Sequence, residues 1–221
     1  MQALSKFLPY VIPYVQGCSD PMAEQAILSA CIEFATSAAV VQTTTPVSVV
    51  AAQQDYDVDI PSQMALVAVQ RVFYKNSLLS PVPLNSVLSG LAMQGVDIGD
   101  ATVRVGAPQA YFLKDPTGDI ISLYPIPDTQ AAVANGLTIQ ASFSPTRSAT
   151  QVDDVLFNSY AEDIAYGAIG RLLGIPGQLF TNTPLATQNL KQFAQGVSSA
   201  KAVGRTGQLV SSSRVRAVRF A

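Results

Sequence analysis

The residue types that carry most enzyme chemistry are thinly spread in this chain, and histidine is missing outright. Ser-His-Asp and Cys-His relays are therefore excluded, as is any zinc site that needs imidazole. What remains for acid-base or nucleophilic work is carboxylate, lysine or a bound metal. The most suggestive carboxylate set is Asp55-Tyr-Asp-Val-Asp-Ile60, with acids at every second position. It superficially resembles a calcium loop, but Ile60 stands where the turn glycine is needed, and Tyr56 and Val58 ask for a strand. Period two then puts Asp55, Asp57 and Asp59 on one face and Tyr56, Val58 and Ile60 on the other. The expectation is a solvated or subunit-facing strand edge. Asp153 and Asp154 read as helix capping, and Glu162 and Asp163 as a polar helix face. The run Lys201-Ala-Val-Gly-Arg-Thr-Gly207 lacks P-loop spacing. Cys18 and Cys31 have no CxxC spacing, and nothing in the sequence supports a disulfide between them. Cys31 reads as a small buried apolar residue. No residue pattern implies a catalytic site, a cofactor or a metal.

Charge is the feature with functional leverage. The net charge is −2, but Asp163 is the last acid. Met1 to Asp163 holds all 15 acids, for a net of −9, and Ile164 to Ala221 carries +7. Such asymmetry speaks to partners and association rather than to fold. Residues 204–221 read as an extended arm, in which Arg205, Arg214, Arg216 and Arg219 alternate with the apolar Val215, Val218 and Phe220. Such a segment can add a strand to another subunit by main-chain pairing, or touch phosphates. With so few arginines and no stacking aromatic except Phe220, nucleic-acid binding alone is the weaker reading.

These residues need elements to position them. The order is helices, strands, helices, which predicts an α+β fold. A short helix over 4–8 ends at Pro9. Asp20-Pro21 predicts an N-cap with proline at the first helical position, opening a helix to about Val40. Strands follow. Residues 47–51 and 55–60 read as a hairpin, and 66–75 with 78–83 as a second pair turning at Asn76–Ser77. Residues 84–94 read as a short helix, 107–114 with 119–124 as the clearest hairpin, and 136–144 as a further strand. Thr150 to Gly177 reads as one long helix, capped by Thr150 or Asp153. Phe157, Ala161, Ile164, Ala168 and Leu172 share a face, and Gly174 takes the left-handed terminating turn. Gly167 and Gly170 within it require something packed close. Thr183-Pro184 opens a last helix to about Val203, with Ala186, Leu190, Phe193, Val197 and Ala200 on one stripe. The predicted organisation is a helical bundle from residues 1–44 and 150–203, an inserted antiparallel β-rich part over 45–149, and the arm over 204–221. The chain is 48% hydrophobic and only 13% charged, below the roughly one quarter usual for globular proteins. Much of its surface is then expected to be covered by other subunits. No apolar run approaches the ~20 residues of a membrane helix. The N-terminal MQALSKFLPYVIPYVQG, broken by Pro9 and Pro13, does not read as a signal peptide.

An ordered set of motifs runs through the chain: Phe7-Leu-Pro-Tyr-Val-Ile-Pro-Tyr-Val-Gln-Gly-Cys-Ser-Asp-Pro21 leading into the helix over 26–34; Gln53-Gln-Asp-Tyr-Asp57 before Ile60-Pro61; Gly106-Ala-Pro-Gln-Ala-Tyr-Phe112; Ile121-Ser-Leu-Tyr-Pro125; Ala165-Tyr-Gly-Ala-Ile-Gly-Arg-Leu-Leu-Gly-Ile-Pro-Gly177; and Phe193 in the last helix. In that order they resemble the head-to-tail adaptor (connector) proteins of short-tailed bacteriophages, the tail tubular protein A-like group. The resemblance implies a non-enzymatic virion protein, assembled in the host bacterial cytoplasm and located at the head-tail interface. It implies self-association into a usually dodecameric ring beneath the portal protein. The bundle would contact portal and neighbours, the β insertion would meet the tail nozzle or other tail proteins, and the arm would reach along the portal. On this reading Arg205, Arg214, Val215, Arg216, Val218, Arg219 and Phe220 bind the portal, and double-stranded DNA passes the channel without sequence-specific binding. Two other readings are a different neck or tail-completion protein and a carboxylate-dependent cell-wall hydrolase, whose paired acids nothing here selects.

Overall fold

The computed structural model describes residues 1–83, 104–114 and 118–206. Among them the chain is α+β. Strands β1 (Gln2–Ala3), β2 (Gln42–Val49), β3 (Asp55–Asp57), β4 (Met64–Tyr74), β5 (Ser77–Leu78), β6 (Ser80–Pro81), β7 (Val105–Gly106), β8 (Ala110–Leu113), β9 (Ile120–Tyr124), β10 (Ile126–Pro127), β11 (Val133–Pro145) and β12 (Gln151–Val152) lie mostly between helices. The helices are α1 (Leu8–Val11), flanked by 3-10 turns, then α2 (Asp20–Ala38), α3 (Asp154–Leu173) and α4 (Thr183–Thr206).

The helix starts follow capping chemistry: α3 is capped at Asp153, one of the two positions expected, while α2 and α4 start one residue earlier than the sequence predicts. In α2 the capping position is Ser19, without a side-chain cap, and Asp20-Pro21 occupies the first turn. Proline is accepted there because the first-turn N–H groups have no helical partner. The same allowance lets Pro9 sit inside α1, where the sequence predicts a helix end. Ala39 closes α2 in the left-handed region, with φ 51°, and the β-branched Thr43 to Thr45 that follow lie in β2. Asp153 caps α3 by accepting from Val155 N–H at 2.9 Å, and Asn182 accepts from Leu185 N–H at 3.2 Å where α4 begins.

The first sheet runs β2-β11-β4-β5, all antiparallel. Its centre is β11, where Leu137, Ile139, Ala141 and Phe143 alternate at 2% exposure or less and the strand packs against α2. Burial of each of the three larger side chains, Leu137, Ile139 and Phe143, contributes roughly 1.5–3 kcal/mol. On the opposite side of β11 the buried Ser142 is satisfied, donating to the Ala68 carbonyl at 3.2 Å and accepting from Gln70 at 3.1 Å. The second sheet runs β3-β9-β8-β6, with β6 parallel to β8.

Two hairpin readings change here. Residues 47–51 and 55–57 do not pair with one another: β2 joins β11 in the first sheet, and β3 joins β9 in the second. A local hairpin competes with a longer partner, and β11 offers β2 seven paired positions. β4 and β5 do turn on themselves, through Lys75 and Asn76 at φ 47° and 65°, one residue before the expected turn. That is the doubly left-handed geometry that matches strand twist. The pairing of β8 with β9 is as read. The helix read over 84–94 lies outside the described residues. One hydrophobic core connects helices and both sheets, from Phe7 and Phe34 through Phe143 to Ile121 and Leu123. Among the described residues no helix is long and apolar enough to cross a membrane.

Candidate partner-binding surface

The sequence predicts an arm from residue 204, but α4 continues through Thr206. Gly204 alone costs a helix roughly 1 kcal/mol, too little to stop one already twenty residues long. Arg205 therefore lies in the last helical turn. Arg214, Val215, Arg216, Val218, Arg219 and Phe220 lie outside the described residues. What the structure does describe is the helical platform that precedes them in the chain.

That platform is set by glycines. A methyl group on Gly167 would lie 2.6 Å from Phe193 Cδ2, and one on Gly170 would lie 2.7 Å from Leu190 Cγ. On the other helix, a methyl on Gly196 would lie 2.5 Å from the Asp163 carboxyl. Gly170 facing Leu190 and Asp163 facing Gly196 make α3 and α4 antiparallel, with backbones closer than any β-carbon would allow. This is the packing reason that glycines inside a helix demand.

The expected stripes are present but altered. Ile164, Ala168 and Leu172 are buried, and Ala165, Ile169, Gly170 and Leu173 widen the buried face. α3 is not straight: Tyr160 leaves helical geometry (φ −136°, ψ 19°), with its ring 4.9 Å from that of Phe34. No glycine or proline marks this kink in the sequence. Gly174 stays right-handed at φ −81°, and the left-handed turn falls at Gly177, φ +78°. On α4, Leu190 is 40% exposed, while Asn189 is buried and donates to the Leu185 carbonyl at 2.8 Å.

Arg171, counted with the basic end of the chain, is committed internally. It pairs with Glu33 of α2, donates to the Gly167 carbonyl at 3.0 Å, and lies 5.4 Å from the Phe193 ring centre. This one side chain ties α2, α3 and α4 together. The exposed basic side chains described on α4 are Lys191 and Lys201.

The acids of the Asp55–Asp59 run behave as the spacing predicts, with one exception. Tyr56 and Val58 are buried while Asp57 and Asp59 are exposed. Tyr56 donates to the Gln53 carbonyl at 3.0 Å and bridges the turn ahead of it. Asp55 is the exception: it accepts from Lys114 at 2.7 Å and from Ser122 at 2.6 Å. Burial pushes its carboxyl up, but the hydrogen bonds from Lys114 and Ser122 and the lysine charge together outweigh that and hold it below the ordinary value. Asp163, half-buried against Gly196, is raised, first by burial and then by the charge of Glu162. Among the described residues no three metal-ligating side chains gather. Both cysteines are free. Burial pushes the Cys31 thiol up to about 12, partly opposed by Arg171.

Set beside known proteins, the chain matches no family model and no curated protein.

Proposed function

We propose that this protein is a structural head-to-tail adaptor of a phage virion, forming a ring that joins the capsid portal to the tail and surrounds the DNA passage. The observation that carries the reading is the acid-free, arginine-bearing run beyond Thr206. It continues from a helix that Gly167, Gly170 and Gly196 lock against α3, while the acids lie in the rest of the chain. A rigid helix pair with a basic segment at its end suits docking onto a second protein, where charge sets approach and apolar residues set affinity. In this reading α1 to α4 form one bundle facing portal and neighbouring subunits, and the sheets between α2 and α3 face the tail nozzle. The ordered motifs named above support the same assignment.

The test mixes portal rings of the same phage with full-length protein and with a version ending at Thr206, so that α4 stays whole. Sedimentation and negative-stain imaging are the readouts. The expected result is a ring on the portal with the full chain and loss of binding with the shortened one. Equal binding by both assigns docking to the helices. Binding by neither removes the portal partner, and the other tail components are then tried for a neck or tail-completion role.

A further inference from the structure

A cleft of about 350 Å³ opens between the N-terminal turns and α3. It uses a different face of α3 from the one that meets α4: Ala165 and Ile169, 3% and 1% exposed, form its floor. Its walls are Pro9, Tyr10, Pro13, Tyr14 and Tyr166, and Glu162 stands exposed at the rim. Tyr10 and Tyr14 are 41% and 61% exposed. None of the lining residues is basic. Tyrosine faces beside a carboxylate suit a guanidinium, which stacks on the ring and neutralises the acid at the same time.

The chain itself holds the complementary sequence. Residues 214–220 read Arg-Val-Arg-Ala-Val-Arg-Phe, three guanidinium groups with apolar residues between them and no acid. The geometry allows the contact within one molecule. Gly196 lies against Asp163, the neighbour of Glu162. Thr206 is ten residues further along α4, about 15 Å away at 1.5 Å per residue. From Thr206 to Arg214 an extended chain spans about 26 Å, enough to double back to the rim.

We infer that the cleft walled by Tyr10, Tyr14 and Tyr166 is a docking site for residues 214–220 of the same chain, with arginine stacked on tyrosine beside Glu162. The docked segment is then unavailable to a partner until the partner outcompetes the cleft. That consequence rests on the adaptor reading; the docking does not.

The chain has no tryptophan, so Phe220→Trp in the full-length protein supplies a single fluorescent reporter. The expected result is emission shifted to the blue, and several-fold weaker quenching by acrylamide, relative to the same reporter combined with Tyr14→Ala or Glu162→Arg. Both positions are exposed, and far-ultraviolet circular dichroism checks that the variants keep the fold. Solvent-like emission in the full chain overturns the inference, as does shielding that neither substitution changes. A blue shift that grows with protein concentration assigns the segment to a second copy and overturns the intramolecular form. Failure of portal binding in the separate assay removes the adaptor reading and leaves this result standing.

Discussion

Replacing Gly167 by alanine sets two physical effects of opposite sign against each other. Alanine favours an isolated helix over glycine by roughly 1 kcal/mol. At this position the added methyl would lie 2.6, 2.8 and 3.0 Å from three atoms of the Phe193 ring. The ring has little room to yield: it is 3% exposed, its centre is 6.0 Å from that of Phe34, and Arg171 covers it at 5.4 Å. Forcing an extra methyl into such a contact costs about 1–3 kcal/mol, so the net expectation for Gly167→Ala is a loss of up to about 2 kcal/mol. In a chain of this length each kcal/mol is about 2–4 °C in Tm. Urea unfolding followed by helical circular dichroism reads it. Phe193→Leu, which makes room, should cost stability alone yet lessen the penalty of Gly167→Ala, so that the double variant loses less than the two single losses added. A gain of about 1 kcal/mol from Gly167→Ala, the propensity effect alone, would refute the close approach of α3 and α4.

Three further outcomes follow from the titratable groups. Asp163 has a raised folded pKa, so the unfolded chain gives up its proton first as pH rises. Stability is lost from the ordinary carboxylate pKa upward through the folded value, and the deficit persists at neutral pH. Asp163→Asn should therefore stabilise the protein at neutral pH and make no difference in acid, as urea midpoints across pH would show; a destabilised neutral-pH variant contradicts the assignment. Asp55 has the opposite sign: its folded pKa is lowered, so its contribution exists above the ordinary carboxylate pKa and disappears as pH falls through the folded value. Asp55→Asn should cost no more than about 1 kcal/mol at neutral pH, because the pair with Lys114 is largely solvated, and the cost should shrink in acid and in high salt. Finally, Cys31 is fully buried with its thiol pushed to about 12, whereas Cys18 is half-exposed. A thiol reagent should label one cysteine per native chain and two after unfolding; two native labels would mean that α2 opens.

Local chemistry and periodicity were legible wherever they decide structure alone. The alternation in Asp55 to Ile60 buried Tyr56 and Val58, and the helical spacing buried Ile164, Ala168 and Leu172. Glycines at 167 and 170 signalled a close neighbour, because nothing but packing offsets their entropy. What was misread depends on distant partners. β2 could not be assigned to β11 from a nearby strand, since a hairpin and a long-range ladder share the same alternation. The kink at Tyr160 carries no glycine or proline to mark it. Gly177, not Gly174, took the left-handed turn because hydrogen bonds set the helix end, with Gly174 N–H still bonded to the Gly170 carbonyl at 3.3 Å.

The candidate surface divides in the same way. Composition alone rules out histidine-dependent chemistry, puts all acids before residue 164, and sets arginines among apolar residues near the chain's end. These are matters of composition, and folding cannot change them. Which charges stay available depends on how the elements pack. Packing ties Arg171 to Glu33 and Phe193 and sets Asp55 against Lys114. Packing also gathers Tyr10 and Tyr14 with Glu162 and Tyr166 around one cleft, although more than 140 positions separate the two pairs in the chain. The physical reason is distance: charge and stacking act over a few ångströms, and which side chains come that close is settled when the helices pack.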